Sequence, residues 1–573
     1  MKTEKCEALV IGSGGAGLRT AIELHDNNVD VLVVGKCKKR DAHTVLATGG
    51  INAALGNMDS KDSWHLHAAD SIRDGENIND SVAVEILCKN AGYAIKELAK
   101  WGCPFHREKD GKITQRFFGA ATYRRACFVG DHTGKAILNT LVDQAVKRKI
   151  RFKSEVYIIS LLTNKGKVNG AIGFDTKNGN LIVLHSKIVV LCTGGHSRMF
   201  KRSSSRFWEN NGDGIALGFH AGAAFMDMEM FQFHPTGMVY PKEAEGILVT
   251  EAVRGEGGVL LNVKGERFMK NYDPERMELS ARDIVSRAVY NEIKQGRGTK
   301  HSGVWLDITH KPKSYILKRL PKIHKQFKEF VGIDISKEKM EVAPTAHYSM
   351  GGIYVDHTTG KTSVPNLYAI GEVTAGMHGA NRLGGNSLAE IMVFGRLTGK
   401  QIVKTLKKTE EIPLDKDLIE KREKEFIDIL KVKNGVNPIE AKREMQEIMW
   451  KAAGVVRNER DMKDGLKALD KYKKIKLNVG SSLKINEKLI AVLDVLNMIP
   501  TSEMILLSAL YRKESRGAHY RSDYPKLNPR WRNNIICIPT KDGIKITTKP
   551  IPKMSKEIAR LITRREIKHH LLE

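Results

Sequence analysis

An apolar run at residues 7–11 gives way to Gly12-Ser13-Gly14-Gly15-Ala16-Gly17, resumes at helical spacing through GLRTAIELHDNN, and returns as a second apolar run at residues 31–34. That order predicts strand, tight turn, helix and parallel strand, the βαβ unit that holds a dinucleotide. The glycines let backbone approach a pyrophosphate, and the helix N-terminus offers it unpaired N–H groups. The acid expected at the end of the second strand is absent: Gly35 and Lys36 stand there, which leaves the ribose contact open. A small-residue segment follows at 42–54, with one imidazole, His43, and room for backbone to pass close to a flat ring. Further on, an apolar run at 187–192 enters Thr193-Gly194-Gly195, and Gly212-Asp213-Gly214 opens another apolar helix; both are placed like further phosphate contacts at strand ends.

Residues 236–346 lose this rhythm and carry Lys/Arg-rich helical text such as 311–328. The βα pattern then returns, with a strand at 367–370 meeting Gly371-Glu372 and the loop HGANRLGGNSL at 378–388. A chain that leaves a nucleotide fold and re-enters it predicts a discontinuous domain, with the insertion as a lid over the bound molecule. From about residue 406 the text turns Lys/Glu-rich at helical spacing, as in 418–432 and 438–456, which predicts a helical bundle with Trp450 in its core. The expected fold is therefore α/β: a Rossmann-like nucleotide domain (1–235 and 347–405) interrupted by an α+β capping domain (236–346), then a helical bundle domain (406–515) and a C-terminal tail domain (516–573).

At 573 residues, several domains are expected. The 94 Lys and Arg against 66 Asp and Glu leave a net charge of +28, which calls for an acidic partner or a carboxylate substrate. No arginine-rich arm or zinc-finger spacing accompanies that charge, so nucleic acid is not the expected partner. The seven cysteines are scattered without a C-x-x-C pair, so neither a disulfide framework nor a metal site is expected. No apolar run reaches the ~18 to 20 residues of a membrane span, and the N-terminus enters a strand directly, so membrane contact should be peripheral.

The chemistry concentrates in LVTEAVRGEGG, residues 248–258, where Thr250, Glu251 and Arg254 lie within five residues. If 249–254 is helical, the i, i+3 spacing lets Glu251 hold Arg254. On those residues alone a surface ion pair, worth ~0 to 1 kcal/mol, explains as much. The wider text decides otherwise: GSGGAG (12–17), AHTVLATGGINAAL (42–55), FQFHPTG (231–237), LVTEAVRGEGG, AHYSMGG (346–352), GANRLGGNSL (379–388) and ESRGAHYRSDYP (514–525). In these motifs, in this order, the chain resembles the flavoprotein subunit of succinate dehydrogenase and fumarate reductase, an FAD-dependent family that also includes L-aspartate oxidase.

The resemblance implies FAD, held by Gly12, Gly14, Gly15, Gly17, Lys36, His43, Thr44, Gly49, Gly50, Thr193, Gly194, Asp213, Glu372, Arg382, Ser387 and Leu388, with His43 covalently attached to it. It implies that His234, Thr250, His347 and Arg382, with Phe118 beside them, bind a four-carbon dicarboxylate, that Arg254 transfers the proton, and that Glu251 relays it. An arginine in that role runs against its very high pKa, which is why the relay matters. L-aspartate oxidase would need an acid for its substrate's ammonium group in the loop around 115–121, and residues 113–130 carry none. A non-catalytic FAD-binding assembly subunit would not need the intact Thr250, Glu251, Arg254, His347 and Arg382. With no cysteine pattern for an iron–sulfur cluster, the resemblance implies a separate iron–sulfur subunit, together with membrane-anchoring, quinone-reactive subunits, at the cytoplasmic side of the membrane. A soluble, thiol-linked fumarate reductase stays open as a variant.

Overall fold

The computed structural model describes residues 2–480 and 486–563, so the end of the basic tail lies outside the described residues. The sheet predicted from the βαβ pattern is present, with its parallel strands in the order Leu367–Ala369, Leu181–Leu191, Lys2–Ile11, Val31–Gly35 and Arg151–Ser154. Leu9 pairs with both Leu32 and Val189, so the first strand is central and buried, as its apolar text requires. It begins earlier than expected, at Lys2, because the polar KTEK stretch pairs with Ile182–His185 while its side chains lie mostly at the surface. An antiparallel pair, Val156–Asn164 and Lys167–Asp175, extends the sheet from Leu181–Leu191.

The capping region forms its own four-stranded antiparallel sheet from Phe231–Met238, Met340–Ser349, Val304–Asp307 and Val259–Leu261. Its core is separate, built from residues such as Val253, Leu260, Val289, Leu306 and Phe327. The basic text at 311–328 becomes two helices, Lys313–Arg319 and Pro321–Phe330, the second with proline in its first turn. Strands Phe231–Met238 and Met340–Ser349 straddle the expected junctions at 235/236 and 346/347, so the chain passes between layers within strands, not loops.

The helices after residue 406 do not form an isolated bundle. Met445, Met449, Leu489 and Leu506 share one apolar core with Leu9, Phe174 and Leu191 of the nucleotide sheet, and Trp450 packs edge-on against Phe233 at 5.8 Å. One of them, Glu487–Tyr511, with a mean hydropathy of 1.6, is long and apolar enough to span a bilayer by length and composition alone. Its apolar window is 72% buried within the molecule, so it serves as a core helix. The C-terminal hairpin Asn533–Thr540/Gly543–Pro550 joins a sheet with Phe225–Met226 and Gly352–Ile353.

Asp494 on that apolar helix ties the helical layer to the nucleotide sheet. Fully buried, it accepts from Lys442 Nζ at 2.8 Å, Tyr157 Oη at 3.1 Å and Asn211 Nδ2 at 3.1 Å, with Lys36 Nζ at 3.4 Å. Burial pulls the Lys442 ammonium down to about 8 even with Asp494 beside it. Removing the carboxylate strands that charge. Asp494→Ala is expected to cost about 3–5 kcal/mol in thermal or denaturant unfolding, and the paired Asp494→Leu/Lys442→Met change to recover part of the loss.

Candidate active site

A cleft enclosing about 1740 Å³, its open mouth included, runs between the nucleotide sheet and the capping region. Its lining extends from the glycine turn after the first strand to Leu248, Thr250, Glu251 and Arg282 of the capping region, a span that suits a dinucleotide at one end and a small substrate at the other. At one end Gly12, with φ +116°, turns the first strand into the helix Gly15–His25, and a Cβ there would sit 2.0 Å from the Cys192 carbonyl. Gly17 lies behind the cleft instead of lining it: its missing Cβ, 1.9 Å from the Gly12 carbonyl, is what lets the helix close on the strand.

The acid absent from the end of the second strand is supplied from elsewhere. Lys36 Nζ bonds Asp213 at 3.0 Å, at the start of the helix Asp213–His220, and both side chains border the cleft. Thr44, Gly49, Gly50, Gly194, Glu372, Ser387 and Leu388 also border it, as does Thr193, whose buried Oγ1 has no protein partner. A second helix N-terminus, Asn386–Leu406, opens here with Gly385 as its cap and no side-chain hydrogen bond closing it. The glycine cradle, the unpartnered hydroxyl and the helix N-termini fit the phosphates and ribose of a dinucleotide cofactor.

His43 borders the cleft in the short helix His43–Leu46. Its Nδ1 lies 3.2 Å from the Glu209 carboxylate and its Nε2 3.4 Å from Ser205 Oγ. Burial pushes the Glu209 acid up, but His43 and Arg206 outweigh it and hold the carboxyl at about 2.

At the other end His234, Thr250, His347 and Arg382 converge, as expected, with Phe118 the only residue of 113–130 that borders the cleft. The rings of His234 and His347 stand 5.3 Å apart, edge to face, and His347 Nδ1 meets Ser204 Oγ at 2.9 Å. Burial first, then Arg282 and Arg254 for His234, and His234 followed by Arg382 and Arg282 for His347, push both imidazoles well below their usual pKa, so they are neutral at pH 7. Burial and the repulsion of Arg282 pull Arg382 down to about 10, still a cation at neutral pH.

Arg254, expected to transfer the proton, does not border the cleft. Glu251 caps the single turn Ala252–Gly255, and Arg254 does stand at i+3, but 4.0 Å away and outside the cleft, with Nη1 donating to the Glu278 carbonyl. Of the two arginines beside Glu251, the one that borders the cleft is Arg282, at the start of the helix Arg282–Glu292. It donates to Glu251 Oε2 from Nη2 at 2.6 Å and from Nε at 2.9 Å, and to Gln232 Oε1 at 2.9 Å. Glu251 Oε1 in turn accepts from the Gly119 amide at 2.7 Å. The i, i+3 rule pointed to the nearest arginine in sequence, whereas the close pair joins residues 31 positions apart, a distance over which a single sequence carries no pairing signal.

Comparisons with known proteins bear on the same residues. The FAD binding domain family matches residues 7–388, and the fumarate reductase flavoprotein C-terminal family matches 442–561. The chain is 42% identical to a fumarate reductase (CoM/CoB) subunit of Methanothermobacter marburgensis over 93% of its own length and 97% of that protein's. The chain belongs to the succinate dehydrogenase and fumarate reductase flavoprotein family. The succinate dehydrogenase flavoprotein subunit of Rickettsia bellii is 38% identical, covering 93% of this chain and 92% of that protein. Mycobacterium smegmatis Sdh1 in complex with UQ1 superposes with a TM-score of 0.87 at 38% identity, covering 97% of this chain and 96% of that one. A quinol-fumarate reductase with menaquinol molecules gives 0.91 at 30% identity, covering 97% and 99%. As a member of the succinate dehydrogenase and fumarate reductase family, this chain is an FAD-dependent oxidoreductase and the flavoprotein catalytic subunit.

Burial works against ionisation of Glu251, yet Arg282 and Arg254 prevail and hold it at about 2, below its ordinary 4.5. A depressed carboxylate stabilises the fold above its unfolded pKa and loses that contribution as pH falls through the folded value. The stability gap between the wild type and Glu251→Gln, on the order of 3–5 kcal/mol, is thus expected to be constant from pH 6 to 8 and to shrink from about pH 4.5 towards 2. Denaturant unfolding across that range measures it.

Proposed function

We propose that the chain interconverts succinate and fumarate, with Arg282 exchanging the proton at the substrate carbon, Glu251 behind it, and Arg254 beyond Glu251. The observation that carries this is the order Arg282, Glu251, Arg254 leading away from the cleft, with only the first two bordering it. The two carboxylates of the substrate fall to Arg382, whose fork matches a carboxylate, and to the neutral donors His234, His347 and Thr250. When bound, FAD supplies the two-electron acceptor for a hydride. Arg282 need never persist as a neutral base: as it takes a proton from the substrate side it gives one to Glu251, which is ionised and within hydrogen-bond reach. Buried Nε and Nη2 of Arg254, which have no protein partner, suit a water that continues the path.

His43 is proposed as the covalent attachment point. With Nδ1 engaged by Glu209, Nε2 is the nitrogen left for the bond. Under denaturing electrophoresis the holoprotein should show a fluorescent flavin band at the size of this chain, and a dark band would remove the covalent bond from the account.

Electrons leave through a separate iron–sulfur subunit towards a quinone-reactive membrane subunit, which would hold this chain peripherally at the cytoplasmic face of the membrane. The similar proteins named for menaquinol and UQ1 support that reading. A second reading is favoured by the relative named for coenzymes M and B: fumarate reduction driven by a pair of thiols. The chain with its co-purifying partners, given either menaquinol or the two reduced thiols as electron donor for fumarate, separates the two.

Arg282→Ala should lower kcat by roughly 10²–10⁴-fold with FAD still bound, and Arg254→Ala by less, because it disturbs the relay and not the donor. An Arg282→Ala enzyme at wild-type speed, with Arg254→Ala inactive, would return the proton-transfer role to Arg254.

A further inference from the structure

Arg382 is 3% exposed, yet among the described residues no carboxylate pairs with it. Its Nη1 reaches Ser387 Oγ at 3.2 Å, and its Nε has no protein partner. A buried cation needs compensation. Here it comes from below: the guanidinium carbon lies 4.1 Å from the centre of the Tyr348 ring. An aromatic face attracts a cation through its quadrupole and uses none of the cation's N–H groups. A carboxylate partner would instead occupy the very fork that a substrate carboxylate must enter.

The ring is itself fixed from behind. Tyr348 Oη donates to Glu390 Oε2 at 2.7 Å, His378 Nε2 meets the same oxygen at 3.0 Å, and the His378 and Tyr348 rings are edge to face at 5.3 Å. All three residues are buried. The hydroxyl donating to a carboxylate makes the ring more electron-rich, and that carboxylate is engaged by Tyr348 and His378, with no hydrogen bond or ion pair to Arg382.

We propose that Tyr348, locked by Glu390 and His378, is a positioning residue that holds Arg382 by its aromatic face and so keeps the guanidinium edge free for a dicarboxylate. The proposal rests on Arg382 being a substrate ligand. It makes Tyr348 a determinant of dicarboxylate affinity without contact to the reacting carbon.

The test uses the full FAD-loaded chain with its partners, succinate as substrate and malonate as a non-reacting dicarboxylate probe. Tyr348→Leu should raise KM for succinate and Kd for malonate by roughly 10- to 30-fold, the scale of a desolvated cation–π contact, with kcat within about 3-fold of wild type. Tyr348→Phe, which keeps the ring and loses its hydrogen bond to Glu390, should be impaired clearly less than Tyr348→Leu in KM and Kd. A Tyr348→Leu enzyme with unchanged KM and Kd, or a Tyr348→Phe enzyme as impaired as Tyr348→Leu, would overturn the proposal. Should Tyr348→Leu fail to retain FAD, pentafluorophenylalanine at position 348 decides the matter, since it keeps the ring's shape and removes its negative face. Weaker malonate binding than with Tyr348→Phe is then expected, and equal binding contradicts the proposal. Arg382→Ala, run alongside, separates the two levels: if it leaves malonate binding intact, the substrate assignment itself fails.

Discussion

The carboxylate of Glu251 is the constraint on which the substrate end of the cleft depends. It gathers an amide from Gly119, two N–H groups of Arg282 and the charge of Arg254, three segments with little else in common. Without it, two buried arginines would face each other and the neutral pair His234 and His347 with nothing to balance them. With it, one guanidinium is held at the cleft wall in a fixed direction and a second is kept in reserve behind. The capping region is therefore tied to the nucleotide domain by the same group that the proposed relay uses.

The positive character of this end follows from how its arginines are paired. Arg282 leans on Glu251, but Arg382 has only a hydroxyl and an aromatic face, so the net charge awaiting a substrate is unfilled. The proposed dicarboxylate, a dianion, would supply what the site lacks. A zwitterion such as an amino acid would bring an ammonium group towards Phe118 and the two neutral imidazoles, where no carboxylate of residues 113–130 is present to receive it.

Much of this was legible in the residues. The βαβ text, the return of βα rhythm at 367–370 and the small-residue segments each have a local cause, and local causes survive in a sequence. His234, Thr250, His347 and Arg382 were read from family motifs, and the structure brings them to one end of one cleft. Arg282 was not legible, because its partner is set by how the capping helix docks, and ARDIVSRA carries no sign of which arginine turns inward. Lys36 looked like a defect in the ribose motif and proved to be one half of an ion pair whose other half, Asp213, lies far along the chain. The helical layer was legible as a bundle, because periodicity reports the buried face of a helix, but what else covers that face was not. Its shared core with the sheet, and the apolar helix that carries Asp494, belong to tertiary packing alone.

The most direct test of the account is the flavin spectrum itself. Mixed anaerobically with succinate, the purified holoprotein should lose its oxidised-flavin absorbance and regain it on addition of fumarate, while aspartate leaves it unchanged. A flavin that stays oxidised with succinate, or is bleached by aspartate, would contradict the assignment of this cleft to a four-carbon dicarboxylate.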